Sequence, residues 1–170
     1  MENVLKIIKH ELNGMLIDGI KYTELDDSYS QELFLDDELF GYLDKNIIKS
    51  EHSLYNYVVY DSKVESKFAS RLENDPDVEL YIKLPEWFKI NTPIGNYNPD
   101  WAIMFKEDIE LHSLYFVVET KGSIDWENLR QNEKNKIKCG KKHFAALTKN
   151  RENIKYELAS NYDDFKAKVE

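Results

Sequence analysis

The run YNPDWAIMFKEDIELHSLYFVVETKG, residues 97–122, decides how this chain is read. Two apolar segments, Trp101 to Phe105 and Leu114 to Val118, are separated by a polar turn and predict two neighbouring β-strands. Asp100 opens the first strand directly after Pro99, and Glu119 and Lys121 close the second. Side chains two apart on a strand share a face, so Glu119 and Lys121 are expected on one side and Thr120 on the other. Two acids and a lysine gathered at strand ends suit metal-dependent phosphodiester hydrolysis. A surface salt bridge at the frayed end of a hairpin is the plainer alternative.

Upstream, Val64, Phe68, Ala69 and Leu72 define the apolar stripe of a helix that starts after Asp61-Ser62 and stops near Asn74-Asp75-Pro76. Glu65 lies on the edge of that stripe. Ser62-x-x-Glu65 also matches a capping box, in which the glutamate ties back to the backbone at the helix start. A strand is expected from Val78 to Leu84, with Val78, Leu80, Ile82 and Leu84 on one side. Downstream, Leu129, Ile137, Gly140, Phe144 and Leu147 predict a helix from about Trp126 to Leu147, with Glu133 on its inner face. A strand over Ile154 to Leu158 and a short helix over Asp163 to Val169 end the chain. The first residues predict a short amphipathic helix through Leu12, turns at Asn13-Gly14 and Asp18-Gly19, a brief strand from Ile20 to Thr23 and a second helix over about Tyr29 to Asp44.

The resulting order, helix, three strands, helix, strand, makes an α/β (α+β) protein with a mixed central sheet flanked by helices. Residues 1–56 are expected as a helical and hairpin extension on a core of residues 57–170.

Composition narrows the function. A chain of 170 residues with 42% hydrophobic content can bury a core of its own. Its one cysteine, Cys139, excludes an internal disulfide and a cysteine-rich zinc cluster. No apolar run is long enough to span a bilayer and the start is too charged for a secretory signal, so a cytoplasmic protein without a membrane partner is expected. No phosphate-binding GxxxxGK[ST] loop is present. The four histidines are scattered, with no pair at metal-ligand spacing. The net charge of -9 is unusual for a nucleic-acid binder. The basic residues, however, crowd the late helix and its exit, where Arg130, Lys136, Lys138 and Lys142 are candidate phosphate contacts and His143 lies beside them. An ordinary solvated helical face is the alternative.

Asn98-Pro99-Asp100 followed by Glu119-Thr120-Lys121 resembles the signature of the PD-(D/E)xK nucleases, and the αβββαβ order is similar to that superfamily's restriction-endonuclease-like core. The strings YDSKVESKFA, KLPEWFKINTPIGNYNPDWAI and LYFVVETKGS more specifically resemble the C-terminal endonuclease domain of the Res subunit of type III restriction enzymes. The resemblance implies a DNA endonuclease dependent on Mg²⁺, with Mn²⁺ as a substitute. It implies that Asp100, Glu119 and the Thr120 carbonyl bind the metal, that Lys121 orients the attacking water, and that Glu65 reaches the metal from the first helix. Glu133 is expected to support Lys121. The implied partners are double-stranded DNA, a helicase-type motor region absent from this chain and a methyltransferase (Mod) subunit that reads sequence. A catalytically silent nuclease-fold module used for docking is the alternative from another class.

Overall fold

A computed structural model of the chain describes residues 2–22, 46–106, 114–119, 131–149 and 154–169, with backbone only at 2, 3, 6, 9, 10, 117–119, 131 and 132. The elements in order are α1 (Glu2–Gly19), β1 (Ile47–Lys49), β2 (Tyr57–Val59), α2 (Lys63–Asn74), β3 (Val78–Lys83), β4 (Trp101–Phe105), β5 (Leu114–Glu119), α3 (Gln131–Thr148), β6 (Ile154–Ala159) and α4 (Tyr162–Val169). Strands β3, β4, β5 and β6 lie side by side in that order. The first three are antiparallel neighbours, while β6 joins β5 in parallel after the α3 crossover. This mixed sheet flanked by helices is the restriction-endonuclease-like arrangement expected from the sequence.

Each face of the sheet carries its own core. On one, Trp101, Ile103, Tyr115 and Ala159 meet Phe68 and Leu72 of α2 and Phe165 of α4. Phe68 stacks on Trp101 with ring centroids 5.4 Å apart, and Phe165 stacks on Phe105 at 5.9 Å. On the other face, Phe144 of α3 packs on Phe116 and Tyr156 at 4.8 and 4.9 Å. The apolar positions of α2 recur at helical spacing because one stripe only must face the sheet. Those of β4 run unbroken because both its faces are covered.

The expected alternation of β3 is corrected by a bulge. The register shifts between Val78 and Leu80, so Leu80 turns outward and is 38% exposed while Val78 is buried. An extra residue in one strand flips the parity of everything beyond it. Tyr81 and Lys83, opposite Ile103 and Trp101, consequently share the face that α2 covers, whereas Ile82 and Leu84 join the opposite core.

Three further expectations change. The N-terminal helix does not stop at Asn13-Gly14 but continues to Gly19, because a mid-helix glycine costs only about 1 kcal/mol. Its last carbonyls, of Ile17 and Asp18, are met by the Lys142 ammonium at 2.8 and 2.7 Å. Ile20 is not in a strand, and the helix expected over Tyr29 to Asp44 lies outside the described residues. Glu133 is exposed and not on the inner face of α3, where Asn135, Ile137, Cys139, Gly140 and Phe144 are buried.

β1 pairs with β2, and residues 52–54 run along the free side of β3, where His52 and Leu54 exchange backbone hydrogen bonds with Tyr81. Buried Ser50 donates to the Glu73 carboxylate at 2.5 Å, and the Tyr81 hydroxyl donates to the same oxygen at 2.9 Å. The segment before β2 is thereby bolted to both α2 and β3.

Gly140 marks the closest approach of α3 to the sheet. A Cβ there meets the Tyr97 ring at 2.6 Å and the Tyr156 hydroxyl at 2.9 Å. Gly140→Ala is expected to destabilise the fold by about 1–3 kcal/mol, the usual cost of overpacking, read as a lower urea midpoint. An unchanged midpoint contradicts this tight contact.

Asp75 ties the end of α2 to α4. It accepts the Tyr162 hydroxyl and the Asp77 N–H and lies 3.3 Å from the Lys166 ammonium. Burial pushes its pKa up, but these three partners outweigh burial and hold the carboxyl below its ordinary value. A depressed acid contributes stability above its unfolded pKa, about 3.9, and loses it as pH falls through the folded value. Asp75→Asn is therefore expected to cost about 1–3 kcal/mol at pH 7, with the gap to the parent closing as the pH falls through the folded value. Thermal melts across pH check this, and a pH-independent gap contradicts it.

Candidate active site

The α2 helix begins with a cap that explains where Glu65 points. Ser62 is extended (φ -141°, ψ 160°), and its hydroxyl accepts the Glu65 N–H at 3.1 Å. Glu65 Oε2 reaches back to accept the N–H of Asp61 at 3.0 Å, one residue before the cap itself. The capping reading of Ser62-x-x-Glu65 is thus realised in a shifted form. The same oxygen accepts Lys83 Nζ at 2.5 Å, and Lys83 also donates to Asp61 Oδ2 at 2.8 Å. The side chains of Lys83 and Glu65 are 19% and 15% exposed, that of Asp61 77%. Burial alone lowers the pKa of Lys83, but its bonds to Asp61 and Glu65 prevail and raise it above the ordinary lysine value. Lys83 is a fixed cation at neutral pH.

Asp100 enters from β4. Asn98 donates to the carbonyls of Pro85 and Phe88, and Ile90 and Tyr97 exchange backbone hydrogen bonds at 2.7 and 2.9 Å. These contacts fold the 85–97 loop back, and Gly95, at φ +111°, makes its turn where a side chain is strained. The Leu84 N–H then donates to the Asp100 carbonyl at 2.8 Å, fixing the backbone as β4 begins. Behind Asp100, the Tyr97 and Tyr156 hydroxyls are 2.5 Å apart. Burial pushes both phenols above their ordinary values, and the charge of Asp100 adds to the rise. Asp100, Glu65, Asp61, Glu86, Lys83 and Asn98 line one cleft of about 390 Å³, together with residues of β2.

Glu119 is the last residue of β5, beside Ala159 of β6. It comes two positions after Val117, the partner of Trp101, so its backbone reaches the sheet end at which β4 starts. Thr120, Lys121 and Arg130 fall outside the described residues. Of the residues expected at the site, the structure therefore brings Glu65 and Asp100 into one cleft and leads the β5 backbone toward that end.

Of the candidate phosphate contacts on α3, Lys138 is exposed and Lys136 half-buried. Lys142, expected to meet DNA, has its ammonium on the α1 carbonyls. His143 is wedged between Tyr22 and Phe144, with centroids 5.0 and 5.4 Å away, and burial lowers its pKa.

Lys83 and Asp61 escaped the sequence reading. Unbulged alternation put Lys83 on the outer side of β3, and Asp61 read only as a helix start. The usable signal was Tyr81, a large aromatic two residues earlier on the same side.

Asp100, Asp61 and Glu65 bring to the cleft carboxylate oxygens, the ligand type that Mg²⁺ prefers, without converging on one point. Among the described residues, no three His, Cys, Asp or Glu side chains gather as an ion-binding group. No described helix is long and apolar enough to cross a membrane. A family model described as an endonuclease domain matches residues 51–162, from the strap before β2 to the start of α4. No curated protein and no solved structure matches the chain.

Proposed function

The chain belongs to the endonuclease-domain family, and from that premise we propose that it is an Mg²⁺-dependent DNA endonuclease domain of the type III Res kind. The observation that carries this reading is the shared cleft of Glu65 and Asp100 at the sheet end where Glu119 closes β5.

Asp100, Glu119, the Thr120 carbonyl and Glu65 are the groups to hold the ion, with Mn²⁺ able to replace Mg²⁺. When bound, the ion supplies an acidified water and neutralises charge at the phosphate. Lys121 orients that water, and Glu133 supports Lys121. Asn98 and the Leu84 N–H hold the backbone around Asp100 in place, which supports a preset position for this residue. Arg130, Lys136 and Lys138 supply phosphate contacts. With a net charge of -9, intrinsic affinity for DNA is weak. A motor region and a methyltransferase (Mod) partner deliver the duplex, because tethering raises effective concentration without new contacts.

A catalytically silent docking module is the second reading. It is favoured by one observation, that Glu65 already serves the helix cap and Lys83. The test is calorimetric titration with Mn²⁺ alongside incubation with supercoiled plasmid and Mg²⁺. Ion binding together with chelator-sensitive nicking supports the enzyme; a chain that binds no ion and cuts nothing supports the docking module.

A further inference from the structure

Lys83 is the basic residue of a cleft whose other charged lining residues are acids, Asp61, Glu65, Glu86 and Asp100. It reaches Glu65 at 2.5 Å and Asp61 at 2.8 Å, from a strand end that faces the start of β4 across one residue pair, Lys83 and Trp101. A surface pair of this sort contributes little, but Lys83 and Glu65 are both largely withdrawn from solvent. Withdrawing two charges is costly unless they serve each other, and removing one leaves the other uncompensated. The pair also sits on the same carboxylate that a divalent ion needs. Glu65 Oε2 already accepts both the lysine and the Asp61 N–H, so a divalent ion taking that oxygen displaces one of them.

We propose that Lys83 is the resident counter-cation of the cleft: it holds Glu65 and Asp61 until a divalent ion enters, cedes Glu65 to it, and then contacts the phosphate of the substrate. This rests on the nuclease reading and deepens it, adding to the site a positive charge from β3. Lysine suits the part. Its compact ammonium on a four-carbon stem swings between partners, and Asp61, 77% exposed, offers a resting place at the cleft mouth. Confining acids near one another invites a neutralising cation, which offsets their mutual repulsion. A lysine that only stapled α2 to β3 has no bearing on ion affinity in this way.

The test reads ion affinity and cleavage separately in the full chain. Lys83→Met keeps the aliphatic stem and removes the competitor, so Mn²⁺ affinity by calorimetry is expected to rise about tenfold. Cleavage of plasmid at saturating Mg²⁺ is expected to fall by about 10²-fold. Lys83→Arg, whose fork grips two carboxylates more firmly, is expected to bind Mn²⁺ more weakly than the parent, and it serves if the Met variant fails to fold. Unchanged Mn²⁺ affinity in either folded variant overturns the proposal. A parent that binds Mn²⁺ through Asp100 while the Lys83 variants match it leaves the nuclease reading standing and removes this one alone. A parent that binds no Mn²⁺ removes both.

Discussion

Asp100→Ala is expected to lower plasmid cleavage by at least about 10²–10³-fold, a barrier increase of about 2.7–4 kcal/mol, and to abolish Mn²⁺ binding. The effect is expected without unfolding. The backbone carbonyl of residue 100, which accepts the Leu84 N–H, is unchanged by the substitution. The carboxylate is only half-buried, and its loss removes a negative charge beside the Tyr97 and Tyr156 hydroxyls, whose own contact persists. A thermal melt close to that of the parent, together with lost ion binding and lost nicking, is the expected signature. Retained nicking, or Mn²⁺ affinity like that of the parent, contradicts the assignment of Asp100 as a metal ligand.

Phe68→Ala carries the largest expected loss of stability, about 3–5 kcal/mol. Phe68 is 1% exposed and touches two other elements at once: it stacks on Trp101 of β4 and, on α4, meets Tyr162 edge-on at 5.7 Å and lies 6.1 Å from Phe165. Truncating it opens a void between rings that are each pinned elsewhere, so the site cannot collapse to fill it. Glu65 lies one turn earlier on α2, and a loosened helix lets that carboxylate wander. Urea unfolding with an unchanged slope and a lower midpoint checks the first part. Cleavage reduced further than the unfolded fraction explains checks the second. A loss under about 1 kcal/mol shows that the neighbouring rings repack, and contradicts this account of how α2 is held.

The parts of the fold legible in the sequence were those whose burial is periodic. Phe68, Ala69 and Leu72 announced α2, and the unbroken run from Trp101 to Phe105 announced a strand, which the structure covers on both faces. The bulge in β3 was not legible, because Leu80 is as apolar as the residues it was grouped with and only the pairing with Met104 turns it outward. Nor was the continuation of α1 through Gly14: Asn13-Gly14 has local turn chemistry, and the contact that secures the helix end comes from Lys142, far along the chain. At the site, Asp100 stood out because a proline and a strand edge frame it. Glu65 was ambiguous by sequence since its capping geometry is local, and the structure shows the cap and the cleft position together. Lys83 was hidden for a different reason. Its partners Asp61 and Glu65 belong to another element, and such pairings are a property of the assembled chain.

The strap of residues 52–54 has a bearing on how this sheet meets other molecules. An unpaired outer strand is a template on which foreign chains can zip up, and long flat ones promote self-association. On β3 the Tyr81 N–H and carbonyl are already taken by His52 and Leu54, and the bulge twists what remains. Among the described residues, the β3 edge of this sheet is thus already covered, and β6 is the outermost strand at the opposite edge.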